Sequence, residues 1–257
     1  MVNSANDSLA TAIKDLILAN EEPARQNQDN ERRTAELVIA NKELAFQNQE
    51  KEKRAAELVI VNEELHGALM NTVRVAMILS EMRDPYTAGH ERRVAEIGAA
   101  ICVEFGFDKN RLEGIRVAGY LHDVGKIKVP AEILSKPGKL TANEYNLIKE
   151  HAQAGYDVLS RVHFPWPIAE VALQHHERID GSGYPQGLKG ENIIIEARIL
   201  AVADVVEAMS SHRPYRAGLG IDIALAEIER GRDTIYDKNV VDICLTLFRK
   251  KGFRIPD

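Results

Sequence analysis

Two adjacent imidazoles, His175 and His176, open a segment dense in polar chemistry and backbone punctuation: Glu177, Arg178, Asp180, Gly181, Gly183, Tyr184 and Pro185. The apolar run Val171-Ala172-Leu173 ahead of it reads as the end of a helix, so the imidazoles sit on a rigid element and the remainder in a turn. Gly181 and Gly183 permit positive φ and close approach of a ligand, and Pro185 fixes the exit of the turn. A polar helix end running into a surface loop would carry similar residues. Chemistry is favoured because three more histidines and two aspartates stand at apolar places elsewhere in the chain.

His90 shares a helical face with Val94, Ile97 and Ile101, so it points where a core should be. Leu112, Ile115 and Ala118 give a helix that runs into Leu121-His122-Asp123-Val124-Gly125-Lys126, with Gly125 expected to end it and Lys126 to swing back over the same end. An ionised Asp123 beside His122 at an apolar helix end is costly to bury unless a cation holds it. His151 lies on a helix with Leu147 and Ile148, and Asp204 stands among Leu200, Ala201, Ala203 and Val205. Five inward histidines and two buried aspartates, spread one or two to a helix, are what a helical domain needs to hold more than one divalent cation. One carboxylate can bridge two ions about 3.5 to 4 Å apart, and those ions can share a hydroxide that is nucleophilic at neutral pH.

The elements that must position these residues are helices. Hydrophobic residues make up 45% of the 257 and aromatics only 5%, with few alternating β-branched runs, which predicts an all-α fold. Residues 1–70 are polar and repeat: Glu31 to Leu44 recurs as Glu52 to Leu65, three heptads later. Leu37, Leu44, Leu58 and Leu65 then take a positions and Ala40, Val61 and Ala68 d positions of a coiled coil, with Lys51 and Arg54 interrupting the seam. A single solvated helix is the other reading. Pro23 is expected to separate this helix from a short one over Leu9 to Ala19.

Residues 71–257 read as one globular domain. It begins with a face of Val73, Met77 and Ile78 that stops before Asp84-Pro85. Thr141 to Glu144 is a capping box, Ile193 to Met209 a largely apolar helix, and Ile221–Arg230 and Val240–Lys250 are closing helices, with Asp237 an N-cap. Cys102 and Cys244 fit no metal or redox spacing and predict free thiols in a reducing compartment. The opening Met1 to Ala10 lacks a signal-peptide pattern and no segment is apolar enough to span a bilayer, so a cytoplasmic protein is expected. A net charge of −6 argues against a surface for nucleic-acid polymers, so phosphate recognition would rest on local cations or metals.

The combination of His122-Asp123-Val124-Gly125-Lys126 with the stretch from His175 to Pro185 resembles the HD-GYP family, the bacterial cyclic di-GMP phosphodiesterase branch of the HD metal-dependent phosphohydrolases, over roughly residues 71 to 250. The resemblance implies an HD-type helical bundle preceded by the coiled-coil segment, and two divalent ions, iron or manganese, with zinc or nickel as alternatives. It implies metal ligation by His90, His122, Asp123, His151, His175, His176 and Asp204, with Asp123 bridging and Lys126 contacting the scissile phosphate. The cyclic dinucleotide contacts map to Gly183, Tyr184, Pro185, Arg213 and Arg216. Two guanidiniums three residues apart also suit a dianionic substrate on chemical grounds.

Two departures from the family pattern stand out. Tyr86 occupies the place of a third-metal Glu, and His212 stands where Asp is common. The implied reaction is hydrolysis of cyclic di-GMP to pGpG and on to GMP by a metal-bridging hydroxide. The alternatives are the same chemistry on cyclic GMP-AMP and a non-catalytic cyclic-dinucleotide receptor. A homodimer through the N-terminal helix and further signalling partners complete the expectation.

Overall fold

A computed structural model describes residues 2–82, 89–136, 138–211 and 218–256, with side chains from residue 8 onward. Among them nine α-helices follow one another without a strand. The chain divides into two compact units, Met1–His66 and Gly67–Asp257.

The first unit belongs to a single helix, α1 (Val2–Glu81), which continues into the second. Pro23 lies inside α1 and does not end it, contrary to the sequence expectation. An internal proline costs about 3 kcal/mol, and the helix formers flanking it, Ala19, Glu21, Glu22, Ala24 and Arg25, keep propagation favourable on both sides. Leu37, Leu44, Leu58 and Leu65 are all more than half exposed.

In the second unit the last turns of α1 bury Val73 and Ser80, while Ile78, expected on the same face, is exposed. The other helices are α2 (His90–Glu104), α3 (Lys109–Leu121), α4 (Ala131–Leu134), α5 (Ala142–Leu159), α6 (Ile168–Gln174), α7 (Ile195–Ser210), α8 (Ile221–Arg230) and α9 (Lys238–Arg249). Helix α2 packs on α3 and α7, α5 on α6, and α7 on α8. Ile97, Ile101, Ile115, Ile199 and Leu200 are fully buried where these helices meet; each contributes about 1.5–3 kcal/mol of transfer free energy. Cys102 and Cys244 are free buried thiols whose pKa burial pushes up to about 12.

Several boundaries follow local chemistry. The Thr141 side chain accepts from Glu144 N while the Glu144 carboxylate accepts from Thr141 N, a reciprocal cap that opens α5. Asp237 accepts from Asn239 N and Val240 N and opens α9. Helix α3 ends at Leu121, earlier than expected, and Gly125 lies inside a 3-10 turn over Val124–Lys128. A Cβ at Gly125 would sit 2.0 Å from the His151 carbonyl oxygen and 2.5 Å from Gly155 N. The missing side chain therefore lets this turn lie directly on the α5 backbone, which brings Asp123 beside His151. Burial along α5 begins at His151, and Leu147, one turn earlier, is exposed.

Candidate metal centre and cleft

Asp123, between α3 and the 3-10 turn, is 3% exposed and stands at the middle of the site. Its Oδ1 lies 3.3 Å from His151 Nε2 and 3.8 Å from His175 Nε2. Its Oδ2 lies 3.5 Å from His122 Nε2, 3.9 Å from His90 Nε2 and 2.5 Å from Lys126 Nζ. Burial opposes the charge on Asp123, but the Lys126 ammonium beside it outweighs burial and holds the carboxyl well below its usual range.

The imidazoles are oriented by one repeated device. Nδ1–H of His122 donates to Gly119 O (2.8 Å), that of His151 to Ile148 O (2.6 Å) and that of His175 to Ala172 O (2.8 Å), each the carbonyl three residues earlier. With Nδ1 protonated, Nε2 carries the lone pair, and in all three residues it faces Asp123. Burial, with further opposition from neighbouring imidazoles, lowers the pKa of His151, His175 and His176, the last to about 3, so these rings are neutral at pH 7. His151 Nε2 and His175 Nε2 stand 3.3 Å apart, two lone pairs with no proton to share. The Nε2 of His122 is buried without a hydrogen-bond partner among the described residues. Neutral nitrogens and a carboxylate converging in this way are a donor set for a cation.

His90, the first residue of α2, behaves differently. Its Nε2 lies 3.2 Å from Asp204 Oδ1, and Nδ1 is bonded to Glu207. Burial works against a charged ring there, but Asp204 and Glu207 overcome it and raise the pKa to about 10. The demand for positive charge at this end of the site is therefore strong. Among the described residues, potential ligand atoms fall into two groups, each with its atoms within 4.8 Å of one another: Asp123, His151, His175 and His176, and His90, His122 and Asp204. The residues present fit divalent cations.

Several residues that serve the site were not singled out from sequence. Glu207, one turn beyond Asp204 on α7, bonds His90 with one oxygen and accepts from Arg93 Nε (2.6 Å) and Ser211 Oγ (2.7 Å) with the other. Its signal was the i, i+3 spacing of two acids in an apolar helix. Glu177 is 2% exposed, and its carboxylate accepts from Gln186 N (2.7 Å) and Leu188 N (3.0 Å), closing the loop after α6. Nothing in the charged run at 177–180 distinguished it.

Tyr184 stacks at a 32° tilt on His176, ring centroids 4.7 Å apart, and lines a cleft of ≈ 480 Å³ in front of the cluster. Gly183 is needed for a close approach of backbones and not for positive φ, since a Cβ would lie 2.4 Å from Arg178 N. Pro185 follows a cis peptide bond and is exposed. Tyr145, Arg178, Glu227 and Tyr236 also line the cleft. Arg213, Arg216, Tyr86 and His212 lie outside the described residues.

A family model described as "HD domain" matches residues 74–240. The chain is 43% identical over 167 residues to the cyclic di-GMP phosphodiesterase response regulator RpfG of Xanthomonas campestris pv. campestris, covering 64% of this chain and 44% of that protein. It is 42% identical over 181 residues to a cyclic di-GMP phosphodiesterase of Thermotoga maritima, covering 70% of this chain and 49% of the relative. It is also 37% identical to the 3'3'-cGAMP-specific phosphodiesterase 3 of Vibrio cholerae, over 69% of this chain and 38% of that protein. The chain thus spans less than half the length of these relatives. A solved V. cholerae cyclic GMP-AMP phosphodiesterase shares the fold, with TM-score 0.54 at 20% identity, over 70% of this chain and 49% of that one. No described helix is long and apolar enough to cross a membrane.

Proposed function

The chain belongs to the HD domain family, and on that premise we propose that it is a metal-dependent phosphodiesterase that hydrolyses cyclic di-GMP to linear pGpG, with GMP as a further product. The observation that carries the reading is the convergence of neutral, buried imidazole nitrogens on the Asp123 carboxylate, with Lys126 beside it and an open cleft in front. His90, His122, Asp123 and Asp204 are assigned to one divalent ion and Asp123, His151, His175 and His176 to a second, with Asp123 shared. Iron and manganese suit these donors, as do zinc and nickel. When bound, such ions supply Lewis-acid stabilisation of phosphoryl oxygens and lower the pKa of a water nucleophile.

The chain's own side chains do the rest. The three backbone-anchored imidazoles hold their lone pairs on target, so little reorganisation is needed on binding. Lys126, close enough to leave Asp123 for an incoming anion, steadies the phosphoryl oxygens or the leaving group. Tyr184, with its neighbours Gly183 and Pro185, forms one wall for the dinucleotide, and Arg213 and Arg216 are assigned to its phosphates. Cyclic GMP-AMP is the second reading of the substrate, favoured by relatives at 36–39% identity named for it.

We assign dimerisation to the heptad seam over 28–68, whose exposed leucines recur at a positions, and a dimeric α1 then offers a docking element for signalling partners. The function is tested by anaerobic purification, elemental analysis, and chromatography of products from cyclic di-GMP and cyclic GMP-AMP. Two ions per chain and pGpG from cyclic di-GMP are expected. An intact substrate with both ions bound would favour the receptor reading instead.

A further inference from the structure

Among the described residues, the cleft in front of the cluster is lined by three carboxylates. Asp123 and Asp204 belong to the donor groups, and the third, Glu227 on α8, belongs to neither. Glu227 is paired with Arg230 through one oxygen, which leaves the other as an acceptor on the cleft wall for a hydrogen-bond donor of the ligand. We infer that Glu227 reads the Watson–Crick edge of one guanine base and so sets the base preference of the site. The inference rests on the cyclic-dinucleotide reading above.

Guanine offers N1–H and the 2-amino group side by side, a donor pair that matches one carboxylate. Adenine places an acceptor at N1 and has no 2-amino group, so the same carboxylate would face a lone pair. The surroundings keep Glu227 ready for this contact. Its Oε2 accepts from Arg230 Nη2 at 2.6 Å, while Oε1 has no hydrogen-bond partner among the described residues. Tyr236 gives the neighbouring wall and is itself immobilised. A Cβ at Gly231 would lie 2.7 Å from the Tyr236 ring, and the Arg178 guanidinium stands 5.5 Å from the ring centroid on this wall. Arg178 is held in turn by donating to Glu177 O (2.9 Å) and His175 O (3.3 Å), which fixes the base-reading end of the cleft to the histidine-bearing segment.

The test compares kcat/KM of the holoenzyme for cyclic di-GMP and cyclic di-AMP in wild type, Glu227→Gln and Glu227→Ala, with metal content measured for each. The wild type is expected to prefer the guanine substrate. Both variants are expected to shrink that preference by about 10- to 100-fold, through KM for cyclic di-GMP and with metal content retained. A wild type that treats both substrates alike overturns the inference. So does an equal loss on both substrates, which is the pattern of a carboxylate bound to a ribose hydroxyl. An unchanged preference in the variants does the same while leaving the phosphodiesterase reading intact. If the wild type cleaves no cyclic dinucleotide, that reading fails first and the base assignment falls with it.

Discussion

His90 is the imidazole of the cluster held from both sides by carboxylates, Asp204 at Nε2 and Glu207 at Nδ1. Glu207 is in turn fixed by Arg93 and Ser211, so its removal should loosen the ring without touching the opposite donor group. Glu207→Gln is expected to cost about 10- to 100-fold in metal affinity or turnover, read by titration of metal-free protein and by kcat, with the melting temperature little changed. Unaltered affinity and rate would make Glu207 a packing residue. Asp123→Ala is expected to abolish turnover while helical circular dichroism stays near wild type, because it removes the carboxylate proposed to serve both ions; retained turnover would remove Asp123 from the chemistry. These two residues also mark what sequence could reveal. Asp123 announced itself as a charge in an apolar frame beside His122, and Asp204 likewise stood among apolar neighbours. Glu207 acts on His90 and Arg93, far away in sequence, and Glu177 on the amides at 186 and 188 across its own loop; the paired acids of α7 hinted at the first residue but not at its partners, and nothing local marked the second.

At the scale of elements, the site depends on how closely backbones approach. The 3-10 turn that carries Lys126 rests on α5 only because position 125 lacks a side chain. Gly125→Ala should push the turn off α5 and lower turnover by about 100-fold, the cost typical of an ångström-scale misplacement, with most helical signal retained. Gly67→Ala is the comparison, since nothing lies within 4 Å of its added Cβ, and it should leave turnover unchanged. Equal behaviour of the two variants would contradict the packing argument. The last turn of α1 is tied to the same region: Ser80 Oγ donates to Asp123 O (3.5 Å), and Glu81 accepts from Gly89 N (2.8 Å), the residue before His90. Element ends with a chemical marker were legible, among them the capping box at Thr141 and the N-cap at Asp237. Pro23 misled because a proline weakens a helix without always ending it, and α1 runs through this one.

For the whole molecule, the three-heptad repeat predicts that removing residues 1–70 yields a monomer or a weaker dimer in sedimentation, still able to turn over substrate; an unchanged dimer would move the interface to the second unit. The helical class was readable from composition and the histidine and aspartate cluster from residues standing at apolar places, while the HD-type core followed from the resemblance carried by His122 to Lys126 and His175 to Pro185. The cleft beyond them was not, because Tyr145 on α5, Glu227 on α8 and Tyr236 in the connection between α8 and α9 meet only in the folded domain. The most direct measurement of the central claim is chromatography of cyclic di-GMP incubated with anaerobically purified protein, before chelation, after it, and after return of ferrous or manganous ion. The account predicts pGpG in the first sample, none in the second and its return in the third. Cyclic di-GMP left intact by protein with both ions restored would contradict it.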